Sequence, residues 1–163
     1  MKIWISLVAV CAALFLAVAP ASARTVEETT PGGPTIELTI PDTWTAQQDN
    51  DGNLILNLPG GRIAFSVTVM ADDRELDVSM AEVFSYIQAS AQRVDAAELS
   101  GMQGALYRGS FVHPEGFTLN FETAAVKADQ NWVATVTIVS LPGATQAEQD
   151  AAFAIRDSAR IRW

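Results

Sequence analysis

Alternating apolar and polar residues in about six short segments constrain the fold of this chain more than any other feature of its sequence. In the first segment Ile36, Leu38 and Ile40 fall on one face of an extended chain, and Pro41 ends the run. The later segments, separated by turn residues, are 54–58, 63–69, 104–112, 117–127 and 132–141. Because alternation gives a strand one buried and one exposed face, the pattern predicts an antiparallel sheet that begins with a hairpin and ends with a three-stranded meander.

Two helix signals interrupt the strand pattern, and each has the spacing of a capping box. In such a box the first side chain and a carboxylate three residues later satisfy free amides of the first helical turn. Ser79 and Glu82 predict a helix that begins at Ser79, and Thr145 and Glu148 predict a C-terminal helix. The inner stripes are predicted to contain Met80, Val83, Phe84, Ile87, Ala91 and Val94 in the first helix, and Ala147, Ala151, Ala154, Ile155 and Ser158 in the second.

The strands and helices together predict an α+β fold, with an antiparallel β-sheet of about six strands and two main helices packed on it. Phe153 lies off the inner stripe of the second helix. It is expected to contact the leader or a loop, or to form a small exposed patch.

The first 23 residues have the features of a cleavable signal peptide. A positive start at Lys2 precedes an apolar run at 3–18 and a small-x-small cleavage sequence, Ala21-Ser22-Ala23. The run is shorter than the about 20 apolar residues of a membrane-spanning helix. Cys11 lies inside it, which is the wrong place for lipid modification. We therefore predict export to the periplasm, with secretion as the alternative.

Cleavage after residue 23 would leave 140 of the 163 residues, without a cysteine and with a formal charge of −10 instead of −9. Residues 24–34 are polar and rich in Thr, Pro and Gly, so they are predicted to form a flexible leader before a single α+β domain at 35–163. A strongly acidic surface repels nucleic-acid phosphates and anionic lipid headgroups. The sequence therefore predicts an unidentified protein partner of basic character, no nucleic acid, and no stable membrane insertion after signal cleavage.

The predicted order of elements and three short motifs resemble the PsbP-like fold family. This family contains the extrinsic PsbP proteins of photosystem II, Ran-binding nuclear import factors and small bacterial exported or lipid-anchored proteins. Ile40-Pro41-Asp42-Thr43-Trp44 is similar to the family's P-x-x-W after the first strand. Segment 101–107 is similar to its G-x-x-a strand entry, and segment 153–161 to its closing i-x-x-S helix. The resemblance implies a sheet with helices packed on it, but no single function, because family members bind different proteins.

Few residues are candidates for catalysis. His113 is the only histidine, and a Ser-His pair would need a carboxylate such as Glu115 to orient it. The sequence His113-Pro114-Glu115-Gly116 favours a solvent-facing turn instead. A cysteine nucleophile and the usual zinc sites are excluded once Cys11 is removed. The glycine-rich turns lack the strand-GxGxxG-helix context, so no nucleotide and no other cofactor is predicted.

An acidic segment before the first helix is the strongest candidate for a metal site. Asp72, Asp73, Glu75 and Asp77 could offer oxygen ligands to a hard cation, although the pattern is more typical of a solvated loop. The acidic loop at 49–53 fails as a calcium loop, because the EF-hand register puts no carboxylate at its first or last position.

Three tryptophans remain after cleavage. Trp132 lies in a predicted strand and is expected in the core, whereas Trp44 and Trp163 lie near a turn and at the chain end and are more open to recognition. One hypothetical interaction surface contains Trp44, Asp72, Asp73, Glu75, Asp77 and His113. We predict a non-catalytic exported interaction or accessory module. A small-ligand or divalent-cation binding protein is the alternative, and a hydrolase is the third hypothesis.

Overall fold

The computed structural model describes residues 22–50 and 52–163, and within them the chain forms ten strands and two helices. The strands are β1 (Ala23–Thr29), β2 (Thr35–Pro41), β3 (Thr45–Gln48), β4 (Leu54–Asn57), β5 (Ile63–Ala71), β6 (Ser90–Leu99), β7 (Met102–Val112), β8 (Thr118–Lys127), β9 (Trp132–Ser140) and β10 (Arg160–Arg162). The helices are α1 (Leu76–Tyr86) and α2 (Gln146–Asp157). The predicted α+β class is confirmed.

The strands form two antiparallel sheets rather than the single sheet that the alternation suggested. Seven strands make a large sheet in the order β3-β4-β5-β9-β8-β7-β6, and β1, β2 and β10 make a small sheet with β2 at its centre. The predicted C-terminal meander is confirmed as β7, β8 and β9. The first predicted strand, β2, lies in the small sheet, because strand order depends on contacts between segments that are distant in sequence.

The large sheet has an apolar layer on each face. On one face it packs against the small sheet and α2, with Leu38 and Ile155 in the same buried cluster as Phe65. On the other face it packs against α1, through Met80 and Phe84. Both faces of the large sheet therefore carry a packed element, whereas the period of two predicts one exposed face.

Residues predicted to be a flexible leader form most of β1, which corrects that prediction. β1 pairs with β2 from Ala23 opposite Pro41 to Thr29 opposite Thr35, and the connecting turn is closed by a hydrogen bond from the Gly33 amide to the Thr30 carbonyl at 3.0 Å. Strand pairing uses backbone groups that any sequence supplies. The polar composition of 24–34 therefore concealed a strand.

The predicted signal peptide lies outside the described residues, apart from Ser22 and Ala23. Ala23 is the first residue of β1, so cleavage after it would leave the rest of that strand in the protein. Cleavage itself stays a prediction. Within the described residues, no helix is both long and apolar enough to cross a membrane.

Helix α1 begins earlier and ends earlier than the capping-box spacing predicted. Its N-cap is Glu75, which makes no side-chain capping bond, and the Ser79 hydroxyl donates to the Glu75 carbonyl at 3.3 Å inside the helix. After the helix, Gln88 has a positive φ of 53°, which ends the helical path. Ala91 and Val94, predicted on the helix stripe, belong to β6, because pairing with β7 supplies its backbone hydrogen bonds.

Helix α2 confirms the second capping box. The Thr145 hydroxyl accepts from the Glu148 amide at 3.2 Å, and the Glu148 carboxylate accepts from the Thr145 amide at 2.7 Å. Ile155 is buried as predicted, whereas the buried alanine is Ala152 rather than Ala147. Phe153 is partly buried against the core, so it is not an isolated exposed patch.

A buried carboxylate in β1 makes stability dependent on pH. Glu28 is 4% exposed, and its Oε2 atom has no hydrogen-bond partner among the described residues. Burial raises the pKa of Glu28, and the charge of Asp49 adds to this, while a hydrogen bond with the Leu54 backbone partly offsets it. The folded state therefore binds this proton more tightly than the unfolded chain does. The stability that the protonated Glu28 contributes is fully present below its ordinary pKa of about 4.5. It is lost as the pH rises through the higher pKa of Glu28 in the folded protein.

We therefore expect Glu28→Gln to increase the free energy of unfolding at neutral pH and to flatten its decline with pH. The gain should be about 1 kcal/mol, because the neutral amide remains buried but carries no charge. Urea denaturation at about pH 5 and about pH 8 measures both effects. Glu27→Gln, at the exposed neighbouring position, is the matched control. If Glu28→Gln kept the same pH dependence of unfolding, Glu28 would not be the group that makes stability decline with pH.

Candidate functional site

A cleft of about 520 Å³ lies between α1 and the face of the large sheet that α1 covers. We call it the α1 cleft. Its floor is formed by β5, β9 and β8, one wall by α1, and the opposite rim by the turn between β3 and β4 that contains Asn53. Seven strands span about 29 Å, whereas a helix is only about 10–12 Å across. One helix therefore leaves part of this face open.

Hydroxyl side chains line the floor in two cross-strand rows. Ser66, Thr137 and Thr123 are paired in register across β5, β9 and β8, and Thr68 is paired with Thr135 in the next row. The Thr123 and Thr137 hydroxyl oxygens are 2.9 Å apart and form a hydrogen bond. Threonine suits a strand and offers polar groups, so this face does not need a complete apolar cover.

The wall of the α1 cleft is apolar and aromatic. Met80 and Phe84 are buried beneath α1, and the Phe84 ring lies 5.5 Å from the Phe121 ring. At the mouth Tyr86 is 88% exposed and Ile87 is 44% exposed. Exposed apolar side chains around a concave surface are typical of a binding site.

Polar contacts fix the amino-terminal end of α1 against the sheet. Asp77 accepts a hydrogen bond from the Tyr107 hydroxyl, and its other oxygen accepts from Arg93 at 2.9 Å. The hydrogen bond from Tyr107, with the added effect of Arg93, lowers the pKa of Asp77. Burial, together with the Asp77 carboxylate, raises the pKa of Tyr107. Asp77 therefore positions the helix that forms the cleft wall.

The other predicted acidic ligands do not converge on a cation site. Both oxygens of Asp72 accept from Arg74, at 2.9 and 2.6 Å, and this contact lowers the pKa of Asp72. The Lys127 ammonium donates to the backbone carbonyls of Asp72 and Arg74. Asp73 and Glu75 are exposed. In the described chain, no group of three or more His, Cys, Asp or Glu residues could hold a metal ion.

His113 lies at the opposite end of the sheet from the acidic segment. It follows β7, near the start of β5, whereas Asp72 follows the end of β5, and the nine residues of that strand span about 30 Å. The Glu115 amide donates to the imidazole Nδ1 at 3.3 Å, and the ring stacks on Phe117 at 4.5 Å. These contacts fit the turn expected from the sequence. The predicted single surface that combined His113 with the acidic residues is not formed.

Trp44 is a core residue, which corrects its place in the hypothetical interaction surface. It is 3% exposed and meets Phe65 edge to face, with 5.4 Å between the ring centroids. The turn after β2 directs this side chain into the core between the two sheets. A position next to a turn therefore did not make Trp44 exposed, because burial of its large apolar ring stabilises the fold. Trp132 packs against the core as expected, and Trp163 is 67% exposed.

The arrangement defines an α+β domain in which a large antiparallel sheet carries helices on both faces. No protein-family model matches the chain, and no curated protein matches it either. Solved structures do match. The solution structure of cyanobacterial PsbP (CyanoP) from Synechocystis sp. PCC 6803 has a TM-score of 0.60 and 13% identity, over 89% of this chain and 95% of that one. The fold of this chain is PsbP-like.

Two further structures were found. A crystal structure from Bacteroides thetaiotaomicron VPI-5482 has a TM-score of 0.52 and 14% identity, over 78% of this chain and 45% of that one. The crystal structure of LpqN, described as involved in cell envelope biogenesis of Mycobacterium tuberculosis, has a TM-score of 0.47 and 18% identity, over 86% and 92% of the two chains. At 13% and 14% identity, the similarities to CyanoP and to the Bacteroides protein establish the fold alone.

Proposed function

We propose that this protein is a non-catalytic, exported accessory module that binds a protein partner at the α1 cleft. The observation that carries the proposal is the combination of a cleft of about 520 Å³ with exposed Tyr86 and Ile87 at its mouth. Tyrosine is enriched among the residues that dominate binding energy at protein interfaces. An apolar side chain of the partner would enter the cleft beside α1.

The chemistry of the α1 cleft supports binding rather than catalysis. Among the described residues that line the cleft Asp49 is the single carboxylate, and both of its oxygens accept hydrogen bonds from Asn53 at 2.9 Å. The hydroxyls of the floor have no imidazole beside them, since His113 lies at the end of the large sheet. A serine or threonine nucleophile needs an adjacent base. The hydrolase hypothesis therefore has no assembled site in the described residues.

The signal-peptide features and the charge of the chain support an exported protein with a basic partner. The predicted cleavage point falls at the start of β1, so export would leave a protein that retains nearly all the described elements. The formal net charge of −9 favours a positively charged partner, because complementary charge accelerates association.

Tyr86→Ala should weaken partner binding about thirtyfold or more, which corresponds to the loss of one dominant interface residue. Because Tyr86 is 88% exposed, the free protein should keep its stability. Affinity capture from a periplasmic extract, followed by titration with the recovered partner, measures the change. Val112→Ala, at a 68% exposed site in β7, is the matched control. Equal retention of the partner by both variants would show that the α1 cleft is not the interface.

A small-ligand function is the second candidate, and the cleft volume favours it. About 520 Å³ lies within the range of about 300–1,000 Å³ found for small-molecule sites, and the floor hydroxyls could orient a polar group. A thermal-shift screen of apolar molecules with one hydroxyl or carbonyl group tests this candidate. A shift that Thr137→Val abolishes would favour a small ligand over a protein partner.

A further inference from the structure

A second depression lies on the opposite face of the large sheet, beside α2. It consists of two adjoining hollows of about 280 and about 350 Å³, which share Arg108 and Asn120. Two cross-strand rows form its floor, and Gln149 and Phe153 of α2 form its wall. The rows are Ser90, Ser110, Asn120 and Ser140, and beside them Gln92, Arg108 and Glu122. We call this surface the polar trough.

Most of the polar side chains that line the polar trough are uncharged. Within the described chain, the side-chain amides of Gln92, Asn120 and Gln149 make no hydrogen bond to another residue. The hydroxyls that share the row of Asn120 are equally unpaired. An amide carries both donors and an acceptor, and a serine hydroxyl can donate or accept. The trough therefore presents groups of both kinds along its length.

A charged cluster holds the centre of the trough in place. Glu122 accepts from Arg108 Nε at 2.8 Å and from Arg156 Nη1 at 2.6 Å, and its side chain is only 14% exposed. The Arg156 guanidinium lies 4.9 Å from the centre of the Phe153 ring. Arg108 is fixed through Nε, while its two terminal nitrogens have no protein partner in the described chain. These nitrogens are free to donate to a ligand.

We propose that the polar trough binds a short oligosaccharide. Sugar hydroxyls donate and accept hydrogen bonds, as the amides and serines of the trough do, and the partly buried Phe153 supplies apolar surface for ring C–H groups. Four strands give the trough a length of about 14 Å, which suits an elongated ligand. The near balance of Arg108 and Arg156 against Glu122 and Asp157 disfavours a highly charged polyanion such as nucleic acid, while the free terminal nitrogens of Arg108 allow a neutral or an acidic sugar. This site is independent of the α1 cleft.

The purified protein can be tested by backbone-amide NMR titration with maltotriose, chitotriose and trigalacturonate. At least one of these probes should shift the amides of the two rows and of Gln149, without shifting those of α1. The double variant Asn120→Ala, Gln149→Ala should weaken that binding about tenfold to hundredfold, because each lost hydrogen bond costs about threefold to tenfold. Arg108→Ala should weaken trigalacturonate more than the neutral probes.

Gln130→Ala, an exposed amide in the turn between β8 and β9, is the matched control and should bind as the unaltered protein does. All substituted side chains are at least partly exposed, so circular dichroism should show the same folded protein for every variant. The proposal is overturned if no probe shifts the trough, or if the double variant binds as tightly as the control. It is also overturned if sodium acetate alone reproduces the trigalacturonate shifts, since the trough would then be a simple anion site.

Discussion

Trp44→Ala should lower the free energy of unfolding by about 3–5 kcal/mol, the largest loss expected from any single substitution considered for this protein. Trp44 is 3% exposed and lies in the cluster that joins the small sheet to the large one. Removal of the indole leaves a cavity against Phe65, whose ring meets it at 5.4 Å. Because folded domains are stable by only about 5–15 kcal/mol, part of the variant should be unfolded at physiological temperature.

Guanidinium denaturation of Trp44→Ala and Trp163→Ala side by side measures this loss. Trp163 is 67% exposed, so its replacement should change the free energy of unfolding by no more than about 0.5 kcal/mol. A much larger loss for Trp44→Ala than for Trp163→Ala would show that Trp44 is buried, whereas similar small losses would show that it is exposed. If Trp44→Ala changed the free energy of unfolding only slightly but abolished partner binding, Trp44 would belong to an interaction surface, as the sequence suggested.

Local signals in the sequence predicted local structure well. The capping box of α2 needs only Thr145 and Glu148, which are three residues apart, and the structure contains both of its hydrogen bonds. The same spacing at Ser79 and Glu82 predicted the wrong start for α1. The Ser79 hydroxyl donates to the Glu75 carbonyl, and Glu82 pairs with Arg74, so neither side chain caps the helix. A capping box therefore predicts a helix start only when no closer partner captures its two side chains.

Strands at the edges of the sheets were the elements that the sequence concealed. β6 contains several alanines together with Gln and Glu, which favour helix, and its residues are mostly exposed. β1 has Val26 as its one buried apolar residue. Both segments are extended because a neighbouring strand, β7 or β2, bonds to their backbone groups. The side-chain pattern within β6 or β1 therefore does not indicate that the segment pairs with a neighbouring strand.

Both candidate sites depend on register, which is why the sequence did not reveal them. The alternation of Ser66 and Thr68 with apolar residues, and of Thr135 and Thr137 with apolar residues, is visible in the sequence and indicates two hydroxyl faces. The sequence does not show that β5 and β9 are neighbours, which places these faces side by side. The ion pairs of Glu122 likewise join residues 14 and 34 positions away. Asp72 differs, since its partner Arg74 is two residues away and could have been recognised from spacing.

Gly109→Val should lower the free energy of unfolding by about 3 kcal/mol and should loosen β6 selectively. Gly109 pairs with Ala91 of β6 and with Phe121 of β8. A Cβ atom on Gly109 would overlap the Ser90 carbonyl oxygen and would lie 2.6 Å from Phe121 Cζ. The Phe121 ring can shift only by disturbing its packing under α1, and the Ser90 carbonyl can move only if β6 separates from β7.

Hydrogen exchange distinguishes these two responses. If β6 separates, its amides should lose protection while those of β5 and β9 keep theirs, because an edge strand can open without the centre of the sheet. Ser110→Val, the next position in the same strand, is the control. It introduces the same side chain on the opposite face and should change stability by no more than about 0.5 kcal/mol. Unchanged β6 protection with a loss below about 1 kcal/mol in Gly109→Val would show that the space beside Gly109 is not needed for pairing. A loss of protection confined to β6 would instead show that β6 stays paired with β7 because Gly109 has no side chain.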